Sequence, residues 1–189
     1  RTSYAYTNFG FTAAGEAAAR ANGTDFASLL EQELFQPLGM SASSTRMSDY
    51  IAASNRAFNH QVEGDRVFVT AREPDAQAPA GGVSSSARGL TRFMLLHLQK
   101  GKWEGRQLIP SEALAETYKV HSVSGSSASS TSSHGYYGIG WRLAYDQQGQ
   151  LKVQHSGAFV LGVRSSITLL PEEDLGIVVL SNAFPSGLP

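Results

Sequence analysis

Cysteine is absent from the 189 residues, which excludes disulfides, a thiolate nucleophile and any Cys-based zinc site. Charge is sparse and balanced: Lys and Arg total 15 and Asp and Glu 16, for a net charge of -1. With no basic cluster, the sequence offers no face for nucleic acid. No apolar run approaches the ~20 residues that span a bilayer. The five histidines (His60, His97, His121, His134, His155) show no i,i+4 pairing, so no metal site is expected, and nothing in the sequence points to a cofactor. There is no internal repeat and no signal-peptide pattern. What remains is an ordinary globular balance, 41% hydrophobic, enough for a substantial core in one domain or slightly more.

The first half reads as helices and loops. Tyr4 and Tyr6 share a face if their segment is extended, and Thr7-Asn8-Phe9-Gly10 leads into an alanine-rich helix, Phe11 to Ala21. Its Ala13, Ala14, Ala17, Ala18 and Ala21 allow close packing, and Asn22-Gly23 ends it in a left-handed cap. Thr24 or Asp25 then caps a helix from Phe26 to Phe35, stopped by Pro37-Leu38-Gly39-Met40. Residues 41–80 are polar and irregular, with one strand around Arg66 to Thr70 and a loop bracketed by Pro74 and Pro79. After Gly81-Gly82-Val83, any of Ser84, Ser85 or Ser86 can cap a well-buried helix, Arg88 to Gln99. A short helix runs from Pro110 to about Tyr118 with Ser111 as its cap, and the Ser-rich stretch His121 to His134 reads as a flexible loop.

The second half reads as strands. Tyr136 to Trp141 forms one, Asp146 to Gly149 a turn, and Leu151 to His155 another, stopping at Ser156-Gly157. The β-branched runs Val163 to Leu170 and Leu175 to Leu180 flank Pro171-Glu172-Glu173-Asp174 as a hairpin, the second run apolar enough to be buried on both faces. The expected class is α+β: a mainly helical and loop region, residues 1–135, followed by a C-terminal antiparallel sheet, residues 136–182.

Two clusters can carry chemistry. In Tyr6-Thr7-Asn8, a phenol two residues from an amide can act as a base if a cation lowers its pKa from about 10. A core tyrosine beside a helix-capping asparagine explains the same residues. His155 is either a proton carrier or a strand-end histidine satisfied by a backbone carbonyl. Gly157 marks a place where the main chain can approach a ligand closely.

The order of these clusters resembles the penicillin-recognising serine hydrolases, in particular the class C β-lactamase-like family with its D,D-peptidases and esterases. Tyr6-Thr7-Asn8 looks like the family's Tyr-x-Asn element, Pro37-Leu38-Gly39-Met40 like its Pro-Leu-Gly-Met turn, and Gly81-Gly82-Val83-Ser84-Ser85 like its Gly-Gly-x-x-Ser/Thr segment. Tyr137-Gly138-Ile139-Gly140-Trp141 matches its Tyr-Gly-x-Gly-Trp strand, and His155-Ser156-Gly157 its third motif in the His-x-Gly form. The resemblance covers nearly the whole chain. It implies part of the β-lactamase/transpeptidase-like fold and acyl transfer to water from an amide, ester or β-lactam. It also implies roles. Tyr6 would relay a proton, Asn8 would hold the acyl carbonyl, and His155 would stand where lysine is usual. Ser156 and Gly157 would line the substrate cleft, with the backbone N–H of Ala158 as an oxyanion donor. The expected partner is a small-molecule or peptide acyl substrate, and the implied location is periplasmic or secreted.

One element of that family is missing. The residues three before Lys100, Lys102, Lys119 and Lys152 are His97, Gln99, Glu116 and Gly149, so no Ser-x-x-Lys motif is present. The expectation is a fragment, inactive alone for want of its nucleophile. Its exposed sheet edges would be covered by a complementary fragment or by a second copy in a homo-oligomer. The rival expectation is a non-catalytic binding or sensor domain derived from the same fold.

Overall fold

The structure, a computed structural model, describes residues 4–124 and 135–185; most of the Ser-rich stretch lies outside them. The first helix, α1 (Asn8–Ala21), starts three residues earlier than expected because the Thr7 side chain accepts the Phe9 N–H as N-cap. Asn8 is therefore the first helical residue and not the cap. Asp25, accepting from the Ser28 N–H, caps α2 (Phe26–Leu30), which widens into a π-helical turn over Glu31–Phe35. The irregular region holds more than one strand. A short helix, α3 (Met47–Ala52), precedes a hairpin of β1 (Asn59–Glu63) and β2 (Arg66–Thr70). Polar Asn59-His60-Gln61 carries no alternation of apolar residues, which hides β1 from a pattern reading. The Pro74–Pro79 loop is a 3-10 turn, Asp75–Gln77, running into α4 (Ala78–Gly81).

The helix α5 (Ala87–Leu98) follows, with Ser86 Oγ accepting the Gly89 N–H. A two-residue hairpin, β3 (Lys102–Trp103) and β4 (Arg106–Gln107), precedes α6 (Ser111–Thr117). Ser111 is not the cap of α6; Pro110 occupies that position and no side chain caps the helix. After β5 (Ser122–Ser124), the expected strand Tyr136–Trp141 divides into β6 (Gly135–Tyr137) and β7 (Arg142–Tyr145). The glycines cause the break. Gly140 has φ +78, and a Cβ on Gly138 would collide with the Thr117 carbonyl.

The strand β8 (Leu151–Phe159) does not stop at Ser156-Gly157 but continues through both. It is followed by β9 (Val163–Leu170), β10 (Leu175–Ser181) and a final β11 (Ala183–Phe184). The tight turn between β9 and β10 holds as expected, with Asp174 at φ 50. β10 lies at the end of the six-stranded sheet, order β10-β9-β8-β7-β6-β5, and its Leu175, Ile177 and Leu180 are exposed. It is thus not buried on both faces. β1 pairs antiparallel with β2 and parallel with β11 in a separate three-stranded sheet. Helices and strands alternate through residues 4–124, so the fold is α+β with its largest antiparallel sheet toward the C-terminus.

The chain divides into two compact units. Unit one comprises residues 4–6, 93–124, 135–156 and 166–178 of those described. Its core is Met94, Trp141, Leu143, Val153 and Leu169, with Phe93, Tyr118, Ile167 and Val178 packed against it. His97 is buried there, ringed edge-on by Phe93 and Trp141 and hydrogen-bonded through Nδ1 to the Tyr118 hydroxyl. Unit two comprises residues 7–92, 157–165 and 179–185. It buries Ala19, Phe35, Leu38, Met40 and Ala78. Of the alanines expected to pack α1, Ala13, Ala14, Ala17, Ala18 and Ala21 are exposed. Close approach occurs at Gly15, where a Cβ would stand 2.5 Å from Pro79.

Candidate active site

Tyr6 lies in the extended segment ahead of α1 and is 56% exposed. Its ring meets Tyr137 edge-on at 6.4 Å, and Tyr4 packs on the same Tyr137 at 5.2 Å. Aromatic pairs at this distance and tilt hold one another in orientation. Tyr137 is 6% exposed. Burial, with the phenols of Tyr4 and Tyr6 beside it, pushes its hydroxyl up to about 12. Tyr137 therefore stays protonated at neutral pH and cannot act as a base. Its packing role was missed, although it begins the Tyr-Gly-x-Gly-Trp stretch.

His155 sits on β8, half-buried, with Nδ1 2.6 Å from the Gly140 carbonyl oxygen. A carbonyl only accepts, so Nδ1 carries the proton and donates. The neutral ring then presents Nε2 as a lone pair, the atom able to take up a proton. This contact also realises the plainer reading of a strand-end histidine satisfied by the backbone. Gly140, with φ +78, supplies the carbonyl, so the glycine break between β6 and β7 is what orients His155. Among the described residues no hydrogen bond joins Tyr6 to His155.

Ser156 and Ala158 are exposed, and strand alternation puts them on the opposite face of β8 from His155 and Gly157. A Cβ on Gly157 would stand 3.3 Å from Ser165 Oγ, so the neighbouring strand gives the glycine its first reason. Asn8 is half-buried at the start of α1, where its carbonyl accepts the Thr12 hydroxyl. Tyr6 and His155 thus belong to unit one, and Asn8, Gly157 and Ala158 to unit two. Among the described residues no three His, Asp or Glu side chains are grouped as metal ligands.

Residues 1–188 match the family model described as Beta-lactamase. No curated protein matches the sequence. The octameric penicillin-binding protein homologue from Pyrococcus abyssi superimposes with a TM-score of 0.81 at 20% identity, over 98% of this chain and 40% of that one. The beta-lactamase from Sulfitobacter sp. EE-36 gives 0.74 at 22% identity, over 95% and 54%. The D-stereospecific amidohydrolase from Streptomyces sp. gives 0.73 at 20%, over 96% and 51%. The chain thus spans about half the length of these structures, or less. At such identities the likeness establishes the fold, that of β-lactamases and transpeptidases. With the family model matched over nearly every residue, the chain belongs to the Beta-lactamase family.

Proposed function

We propose that these residues form part of a serine hydrolase that works through an acyl-enzyme. The observation that carries the reading is the orientation of His155, whose Nδ1–H is committed to Gly140 and whose Nε2 is left as a proton acceptor. In this reading a serine from a Ser-x-x-Lys segment outside the 189 residues attacks the acyl carbon, and the Tyr6 phenol carries its proton to the leaving group. The Asn8 amide holds the acyl-amide carbonyl. Ser156 and Gly157 line the cleft, and the Ala158 N–H donates to the oxyanion, a contact worth roughly 3 kcal/mol where such donors have been removed. Water then attacks the acyl-enzyme, releasing the acid and restoring the serine hydroxyl.

Histidine at position 155 favours a D,D-peptidase or esterase over a dedicated β-lactamase. A lysine there would offer a substrate carboxylate an ammonium with three donors, whereas the His155 ring, with Nδ1 committed to Gly140, has one nitrogen left to offer. On this reading the protein would act in the periplasm or outside the cell. Exposed Val67, Phe68 and Val69 on β2 would be covered by another copy or by the rest of the protein. The penicillin-binding protein homologue from Pyrococcus abyssi is octameric.

The test is acylation. The 189-residue polypeptide, mixed with a fluorescent penicillin or an activated ester, should show no stoichiometric label. Labelling of this polypeptide alone would overturn the assignment of the nucleophile. In a longer polypeptide that carries Ser-x-x-Lys, Tyr6→Phe should cut turnover about 100-fold or more. Reversible ligand binding without turnover in that protein would establish the sensor reading instead.

A further inference from the structure

The turn after β8 is anchored at Phe159, Leu161 and Gly162. The Gly162 N–H donates to the Phe159 carbonyl at 3.0 Å, the Thr70 hydroxyl donates to Leu161 O, and the His60 N–H approaches Gly162 O at 3.3 Å. Gly162 has φ +94 and lies so close to the His60 backbone that a Cβ there would collide with it. The Phe159 ring is held separately. The guanidinium of Arg72 stacks over it, 3.6 Å from the centroid. Arg72 Nη1 donates to Gly81 O at 2.8 Å, and a Cβ on Gly81 would stand 3.1 Å from the ring edge. The glycine thus lets the main chain close on Phe159 from a second direction.

Arg72 sits there at a cost. Its Nη2 is sealed from solvent without an acceptor, and burial lowers the guanidinium pKa. Among the described residues no carboxylate lies within 4.0 Å of it. A buried donor left unmet is destabilising, which offsets what the stack and the Gly81 bond contribute. What the contact supplies is position. Gly157 is the residue of β8 with the most backbone freedom. Displacement of the strand end beyond Gly157 would carry the Phe159 ring away from Arg72 and Gly81.

We propose that Arg72 is a positioning residue: stacked on Phe159, it fixes the end of β8 and so aims the backbone N–H of Ala158. The inference rests on the oxyanion role given to Ala158 above. An N–H donor helps only where the charge develops, and a displacement of about 1 Å can cost 100-fold in rate.

The experiment uses the 189-residue polypeptide, isotope-labelled, with Arg72→Met, Phe159→Leu and the ring-keeping Phe159→Tyr. Arg72→Met and Phe159→Leu should each shift the Gly157 and Ala158 amide resonances and speed their hydrogen exchange about tenfold. Val153 and Leu96 amides should keep their wild-type exchange, and Phe159→Tyr should leave all four unchanged. Unmoved Ala158 in both disruptive variants would overturn the proposal, as would equal loosening at Val153. In a longer polypeptide carrying the nucleophile, Arg72→Met should lower kcat with KM unchanged. If the Ala158 amide loosens there while kcat holds, the anchoring stands and the oxyanion role falls.

Discussion

The Trp141 core of unit one and the Phe159–Gly162 turn of unit two are held by opposite means. The core is held by volume: Leu143 and Val153 are at most 1% exposed, and His97 lies among aromatic rings. The turn is held by a few directed contacts to backbone carbonyls, while Val160 and Leu161 remain in solvent. Burial is non-directional and scales with area, so it supplies stability without fixing any one atom. A hydrogen bond or a stacked ring supplies little net stability but fixes direction. The difference teaches where to expect each kind of damage: changes in the core should unfold the protein, and changes in the turn should misplace it.

The largest effect should come from the core. Leu143→Ala leaves a void where neighbours relax only partly, and such truncations cost about 3–4 kcal/mol. Urea unfolding followed by tryptophan fluorescence should show that loss. A change under about 1 kcal/mol would mean that the core is looser than its burial implies. The next effect depends on pH. Burial lowers the His97 pKa to about 4 from the ordinary 6.5. As pH falls through that window the unfolded chain takes up a proton and the folded one does not, so stability falls. The His97 contribution should be level above about 6.5, drop by up to about 3 kcal/mol, and level again below about 4. Denaturant midpoints from pH 7 to 4 test this, and His97→Phe should flatten that part of the curve.

Smaller effects belong to the turn. Gly162→Ala places a Cβ against His60 at φ +94, where a side chain is strained. About 1–2 kcal/mol should be lost. The His60 and Leu161 amide resonances should move further than any in the Trp141 core. Core shifts of equal size would break the contrast.

Legibility followed the same divide. The β9–β10 hairpin and the position of β2 were readable from runs of β-branched and aromatic residues, and α5 from apolar residues spread round a stretch preceded by serines able to cap it. Asn59–Glu63 was not, because a polar strand between two partners is fixed by main-chain pairing that leaves no side-chain pattern. Tyr6, Asn8, His155 and Gly157 were readable as motif residues. Their supports lay elsewhere in sequence. Gly140 orients His155 from 15 residues away. Arg72 reaches Phe159 across 87 residues, a contact that neither spacing nor composition encodes. The reach of β8 through Ser156-Gly157 was also hidden, since a glycine reads as a strand end until a neighbour is seen to need its missing side chain.

The smallest and most discriminating change is Thr70→Val. It removes the hydroxyl that donates to Leu161 O while keeping the shape of the side chain. The bond is on the surface, and water can take the place of the lost donor, so stability should fall by only about 0.5–1 kcal/mol. If the turn is held for position, the Leu161 and Gly162 amides should nonetheless exchange faster, while Leu143 and Val153 amides stay as protected as before. If both sets loosen together, turn and core unfold as one cooperative unit. The distinction between holding by volume and holding by direction would then describe two sets of contacts but only one stability.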